Sequence, residues 1–245
     1  MRFNSSNPIL SESRFADSVV VVEAATLGQT INRCLILLAL VVGSAAFAWT
    51  SASSGSSDII EKSLLFSIFA FFIVLVTNFK KEWSGVTAPL YAVFKGLALG
   101  AISRIFEIGY PGIVFQAVGI TFGIAFGMLM LYKYKVISVN DKYRAIVGSA
   151  MFGIFIYHVV AFVLYFFGIR MPLIWSSSLA GIIFTLFVVV ISSMYLAIDF
   201  DQIVYVSRRG LPAYMSWFAA MGLMVTLVWV YFETLRLLSK IRSRN

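Results

Sequence analysis

The chain has 245 residues, of which 60% are apolar and 12% are charged, and its formal net charge is +8. Soluble domains carry about 25% charged residues, so this composition excludes an ordinary soluble protein and predicts a polytopic membrane protein. The cations lie in short loops between apolar runs, where they orient helices in the lipid bilayer, so nucleic acid is not an expected partner. The single cysteine, Cys34, excludes an intrachain disulfide and a cysteine-based metal site.

Residues 1–29 are mostly polar and predict an N-terminal cytoplasmic tail of low order. The apolar patch Val19–Val22 is too short to be a secretory signal. We therefore expect the tail to precede a membrane domain at 30–240, which is followed by a basic C-terminal tail at 241–245.

Seven apolar segments follow the tail, each close to the ~20 residues that cross a bilayer. They lie at about 33–50, 63–79, 88–106, 111–132, 145–168, 173–207 and 212–238. Backbone groups in lipid must be hydrogen-bonded within a segment, and these runs lack the alternation of a membrane β-barrel. The predicted fold class is all-α, a bundle of seven transmembrane helices.

The distribution of Lys and Arg predicts that the N-terminus is inside. The inner side would then hold Arg2, Arg14, Arg33, Lys80, Lys81, Lys133, Lys135, Lys142, Arg144, Arg208 and Arg209, and the first three outer loops only Lys62, Arg104 and Arg170. The C-terminal end conflicts with this count, because Arg236, Lys240, Arg242 and Arg244 would lie outside if the seventh segment crosses. A re-entrant last segment is the alternative.

The fourth segment carries Gly119, Gly123 and Gly127 at every fourth position. Small residues at this spacing let another backbone approach one helix face closely. We expect this face to pack against another helix of the same chain, and a homo-oligomer contact is the alternative use.

Enzyme chemistry has little support in the sequence. There is no phosphate-binding glycine loop, no nucleophile elbow and no paired-histidine metal motif. The only histidine, His158, falls in the middle of the fifth segment, where a hydrogen-bonded core histidine is the expected role. We predict that the protein is not an enzyme and holds no cofactor.

The sixth segment ends in two carboxylates, Asp199 and Asp201, after a run without charge from Met171 to Ile198. An ionisable group in or near the hydrocarbon core is costly and marks a functional site by default. Residues two apart project roughly 200° apart on a helix, so only one of the two can face the bundle. We expect Asp199 to face inward, and Asp201 to meet water or Arg208 near the inner surface.

Two stretches resemble a bacterial branch of the Bax inhibitor family. The first runs from Phe106 to Val118, and the second comprises Asp199–Ile203, Arg209–Pro212, Val225–Trp229 and Glu233–Leu238 in the last two helices. The resemblance implies a seven-helix protein of the bacterial inner membrane. Some members of this family are pH-sensitive calcium leak channels, and others act by binding membrane partners.

In the channel-like members, aspartates on the sixth and seventh helices share a proton, and an arginine near the second helix holds the closed form. Asp199 matches the first aspartate, and Thr226 stands where the second would be. The arginine is missing, which leaves Lys80 and Lys81 as the basic residues nearby. The resemblance thus implies the family's seven-helix scaffold, with different residues at the gate.

Depth along the last two helices separates the remaining acids. Glu233, the nearest acid on the seventh helix, lies on the order of 16 Å further out than the level of Asp199, at 1.5 Å per residue. It forms either an interfacial ion pair with Arg236 or part of a pathway. Glu107 would share its outer level. Acids at both mouths suit a path for cations such as calcium, with Asp199 as a weak Ca²⁺ ligand.

Lys95 is a further candidate counter-charge, because it and Asp199 lie at similar distances from the inner ends of their helices. We hypothesise that the two form a latch that acid would weaken; alternatively, Lys95 extends its long stem to the inner headgroups. The rival to a leak channel is a regulator that binds and restrains a membrane protease or another membrane partner.

Overall fold

The computed structural model describes residues 24–53, 58–169 and 171–244. Seven long helices fill these ranges, and each is long and apolar enough to cross a membrane. They are α1 Leu27–Ser53, α2 Ser63–Phe79, α3 Ser84–Gly109, α4 Ile113–Lys133, α5 Asp141–Phe166, α6 Leu179–Arg208 and α7 Tyr214–Arg242. The predicted all-α bundle of seven membrane helices is confirmed. Most of the predicted tail, with Arg2 and Arg14, lies outside the described residues, as does Arg170.

The seventh segment crosses the bundle as one uninterrupted helix, so the alternative of a re-entrant segment is wrong. We call the side on which α1 begins the N-face and the side on which α7 ends the C-face. Arg242, in the last turn of α7, donates to the carbonyl oxygens of Tyr110 and Pro111, at 3.3 and 2.8 Å. These carbonyls belong to the loop between α3 and α4, which lies on the C-face.

Lys240 and Arg242, two of the four cations that break the charge pattern of the loops, donate to backbone carbonyl groups. The buried Lys240 ammonium donates to Leu173 O at 2.8 Å, Gly181 O at 3.1 Å and Thr185 Oγ1 at 2.8 Å. Carbonyls at this depth have little water to bond. Lys240 therefore holds α7 to the start of α6 and does not act as a topology signal.

On the N-face, α1 is tied to the start of α7. The Ala25 amide donates to Leu211 O at 2.7 Å. The Arg33 guanidinium donates to Ala213 O and Ser216 Oγ, and lies 5.2 Å from the centre of the Trp217 ring. The end of the chain preceding α1 is thus fixed to the α6–α7 turn.

The closest helix crossing lies between α1 and α3. A Cβ placed on Gly96 would overlap the Val41 carbonyl oxygen and Ser44 Oγ, and one placed on Gly100 would overlap the backbone of Ala45. Glycine at these two positions lets the backbones approach to contact distance. The spacing of Gly96 and Gly100 was visible in the sequence and predicts such a seam.

The glycine face of α4 packs against no other helix of the described chain, so the expected packing role within the bundle is wrong. A Cβ added at Gly119, Gly123 or Gly127 would meet no atom within 4 Å. The buried face of α4 instead contains Ile113 and Ala117. Residues two apart lie on opposite sides of a helix, so packing on Ala117 turns Gly119 outward.

We predict that Gly96→Leu destabilises the protein by about 1–3 kcal/mol, the usual cost of overpacking. Thermal unfolding of the purified protein in detergent, followed by tryptophan fluorescence, measures the effect. Gly123→Leu is the matched control, because its side chain has open space. Equal melting temperatures for the two variants would contradict the assignment of the α1–α3 seam.

Candidate functional site: two polar cavities beside the seventh helix

A cavity of about 430 Å³ lies near the N-face between α2, α6 and α7. Its polar lining comprises Thr77, Asn78, Lys81, Tyr195, Asp199, Gln202 and Thr226. We call it the N-face cavity. Oxygen-bearing side chains from three helices therefore converge around one carboxylate, that of Asp199.

Asp199 is buried, with 7% of its surface exposed. Its Oδ2 atom has no hydrogen-bond partner among the described residues. Thr226 is the polar side chain that interacts with the carboxylate, and its hydroxyl also donates to Gly222 O at 3.3 Å. A buried carboxylate oxygen without a donor is costly, so the site calls for a proton, a water molecule or a cation at that atom.

Of the three proposed counter-charges, only Lys81 lines the cavity that contains Asp199. Lys81 Nζ lies 5.2 Å from the centre of the Phe218 ring, which also lines the cavity. The neighbouring Lys80 is exposed at the end of α2. Lys81 therefore places a positive charge at the N-face mouth, without an ion pair to Asp199 among the described contacts.

A second cavity, of about 460 Å³, lies towards the C-face between α2, α3, α5 and α7. Its charged and titratable lining consists of Tyr91, Lys95, His158, Glu233 and Arg236. We call it the C-face cavity. Val74 and Val225 line both cavities, so the two are adjacent and separated by apolar side chains.

The predicted latch between Lys95 and Asp199 is absent, because the two side chains line different cavities and no ion pair joins them. The helix α3 begins at Ser84 and not near residue 88, which places Lys95 about 16 Å from the N-face end at 1.5 Å per residue. Val74 and Val225 line both cavities and so lie between the two side chains.

Glu233 is the centre of a buried cluster and not an interfacial pair. Only 2% of its surface is exposed, and Arg236 Nη1 donates to its Oε1 and Oε2 at 3.1 and 3.3 Å. His158 Nε2 lies 3.6 Å from Glu233 Oε1. Sequence reasoning found the spacing of Glu233 and Arg236 and expected His158 to be hydrogen-bonded, which it is. It did not connect His158 with Glu233 and Arg236, which lie on a different helix.

His158 joins α5 to the cluster on α7. Its Nδ1 lies 2.8 Å from the Ile154 carbonyl oxygen, which can only accept, so Nδ1 carries a proton. Its Nε2 faces both Arg236 Nη1, at 3.2 Å, and Glu233 Oε1, at 3.6 Å. His158 thus helps to hold the Arg236 guanidinium beside Glu233.

Asp201 and Glu107 have structural roles outside both cavities. Asp201 pairs with Arg144 and accepts from the Tyr132 hydroxyl at 2.9 Å, so its partner is not Arg208. Glu107 accepts from the amides of Gly112 and Val114, at 2.6 and 3.2 Å, and caps the N-terminal end of α4. The prediction that Glu107 marks a pathway mouth is therefore not supported by its geometry.

No group of three or more His, Cys, Asp or Glu side chains that could hold a metal ion occurs within residues 24–53, 58–169 and 171–244. Calcium takes six to eight oxygen ligands, and Asp199 supplies the only carboxylate of its cavity. A resident calcium site does not fit this geometry.

We predict that Glu233→Gln lowers the stability of the protein by about 3–5 kcal/mol, the typical cost of breaking a buried ion pair on one side. The loss arises because the Arg236 guanidinium remains buried without its counter-charge. Thermal unfolding in detergent measures it. Glu82→Gln removes an exposed acid and serves as the control; a Glu233→Gln variant as stable as that control would exclude a structural role for the cluster.

Comparison with known families gives one match, to a model described as Bax inhibitor 1 like, over residues 7–243. It covers all seven helices. No curated protein and no solved structure matched the chain. The match does not separate branches of the family, so the bacterial branch stays a prediction.

Proposed function

The chain belongs to the Bax inhibitor 1 like family, and we propose that it is a non-enzymatic, pH-sensitive cation leak in which calcium is a permeant ion. The observation that carries the proposal is the pair of polar cavities in line between α2 and α7, each with one buried acid. Because Lys and Arg are in excess in the N-face loops, we propose that this face is the cytoplasmic side of a bacterial inner membrane.

In the N-face cavity, the Oδ2 atom of Asp199 attracts a cation because no hydrogen-bond donor compensates its charge. Thr77, Gln202 and Thr226 supply further oxygens that can replace part of a hydration shell. A single carboxylate gives weak binding. Weak binding suits conduction, since the ion must also leave.

Val74 and Val225 form the barrier between the cavities. An apolar constriction excludes water and so blocks ions without a steric plug. Val74 belongs to α2, whose buried residues are only the small Ser63, Ala70 and Thr77. This helix packs on α3, through the rings of Phe66 and Phe69 against Phe94 and the hydrogen bond between Thr77 and Thr87. A shift of α2 relative to α7 is therefore the movement that would open the barrier.

In the C-face cavity, the charge of Glu233 is balanced by Arg236, and Lys95 adds a further positive charge. A cation that leaves by this route therefore meets repulsion. Such a path supports a slow leak and not the fast conduction of a dedicated pore.

With no latch to Lys95, the sign of the pH dependence follows from the charge of Asp199 alone. Protonation removes the negative charge that draws a cation into the N-face cavity. Acidification should therefore lower the flux, the reverse of what the Lys95–Asp199 latch would give. Asp199→Asn mimics the protonated state at every pH.

We predict that purified protein in calcium-loaded liposomes gives a leak that falls as the pH is lowered from about 8 to 5, a range in which tuned groups titrate. Asp199→Asn should reduce the leak at pH 8 by roughly tenfold, equivalent to about 1.4 kcal/mol in the barrier, and abolish its pH dependence.

The matched control is Asp201→Asn, which removes the same charge two residues away but outside the cavity, where the partner is Arg144. It should keep both the leak and its pH profile, provided that it melts like the parent protein. Absence of any protein-dependent flux between pH 5 and 8 would refute the leak. An unchanged profile in Asp199→Asn would exclude Asp199 from it.

The second candidate function is regulation of a membrane partner, such as a membrane protease or a second copy of the chain. The exposed glycine face of α4 favours it, because Gly119, Gly123 and Gly127 have open space where a partner helix could approach closely. Gly123→Leu should then abolish self-association or partner cross-linking in membranes, while thermal stability and calcium leak remain unchanged. Retained cross-linking would contradict this use of the face.

A further inference from the structure

The C-face cavity has the composition of a ligand site. Cavities of about 300–1,000 Å³ with mostly apolar walls and a few polar groups are typical of small-molecule sites. This one measures about 460 Å³, and its apolar wall includes Phe71, Phe155, Trp229 and Phe232. The charged groups lie on α3 and α7, and the titratable ring of His158 lies on α5. The cavity is therefore amphipathic, with one charged side and one aromatic side.

The charges in this cavity do not balance. Arg236 and Glu233 form an ion pair, and His158 Nε2 faces both of them. Lys95 remains as one unmatched positive charge. Within the described part of the chain, no acceptor lies within hydrogen-bonding distance of its ammonium group and no acid forms an ion pair with it.

The position of Lys95 makes this imbalance costly. It lies eleven residues after Ser84 and fourteen before Gly109, so it is about 16 Å from one end of α3 and about 21 Å from the other. The residue is half-buried near the middle of a membrane helix. A charge at that depth needs a counter-charge, and residues 24–53, 58–169 and 171–244 supply no ion pair for it.

We propose that the C-face cavity binds an amphiphile with a single carboxylate, such as a long-chain fatty acid. Its carboxylate pairs with Lys95, and its chain lies against Phe71, Phe155 and Phe232. One negative charge restores neutrality, and an acyl chain matches the aromatic wall. Binding at this site requires no ion conduction, so a failure of the proposed leak would leave this proposal unaffected.

Depth distinguishes a free carboxylate from a phospholipid. The phosphate of a bilayer lipid is anchored at the surface of a hydrocarbon core about 30 Å thick, so it lies roughly 15 Å from the midplane. Lys95 is close to the midplane. A fatty acid can move its headgroup to this depth once it is inside the cavity, whereas a diacyl lipid would have to leave its leaflet.

Trp229 lines the cavity and reports occupancy directly. The purified protein in detergent is titrated with a stearic acid brominated on its chain, which quenches tryptophan fluorescence on contact. We expect saturable quenching in the parent protein and its loss in Trp229→Phe. We expect half-saturation to rise at least tenfold in Lys95→Met and to be largely kept in Lys95→Arg, which retains the charge.

Two controls isolate the charge. Lys81→Met removes the same charge from the N-face cavity and should leave the titration unchanged. The matched brominated alcohol has the same chain without the carboxylate, and it should quench the parent protein as weakly as the acid quenches Lys95→Met. This comparison uses the unmodified protein, so it remains decisive if Lys95→Met fails to fold.

Equal quenching by the acid and the alcohol would overturn the proposal, as would a folded Lys95→Met variant with the affinity of the parent protein. A brominated phospholipid tests the other source of negative charge. If it quenches Trp229 in a Lys95-dependent manner and the fatty acid does not compete, the ligand is a lipid headgroup and the proposed carboxylate is wrong.

Discussion

The cost of an uncompensated charge in a bilayer decides how this bundle is arranged. Where charged side chains enter the membrane helices, most are satisfied by neighbours. Asp201 has Arg144, Glu233 has Arg236, and Lys240 donates to three oxygens of α6 and the segment before it. Each of these contacts also joins two elements that are distant in sequence or secures a turn of α7. The charged residues thus join the helices at defined positions, which apolar packing alone would not specify.

Two charged groups that face the cavities lack such partners. Among the described residues, Asp199 in the N-face cavity has an oxygen without a hydrogen-bond partner, and Lys95 in the C-face cavity forms no ion pair with an acid. They are of opposite sign and are separated by Val74 and Val225. The proposed cation path and the proposed carboxylate site therefore carry unsatisfied charges of opposite sign on either side of the same pair of valines, and both border α2.

Much of this could be predicted from the sequence, and particular residues show why the rest could not. The run without charge that ends at Asp199 marked the buried acid, and the 200° separation correctly turned Asp201 away from it. The latch failed because a distance along a helix does not reveal which apolar side chains lie between two charges. The contacts of His158 with Glu233 and Arg236 were not predicted, because these partners are 75 or more residues away in the sequence and no local pattern indicates them. The glycine pattern of α4 indicated a close approach, whereas the close approach in this chain uses Gly96 and Gly100.

The sequence by itself determined the class of the protein, the seven crossings and the family, because these depend on the length and apolarity of segments and on the order of short motifs. It also determined which residues are chemically exceptional in a membrane. Only the tertiary structure decided their roles. It placed Glu107 on the amide groups of α4, Glu233 in a cluster with His158, and Lys95 and Asp199 in separate cavities. The physical reason is that a helix sequence specifies which residues share a face, while the rotation and depth at which that face meets its neighbours are set by packing across the whole bundle.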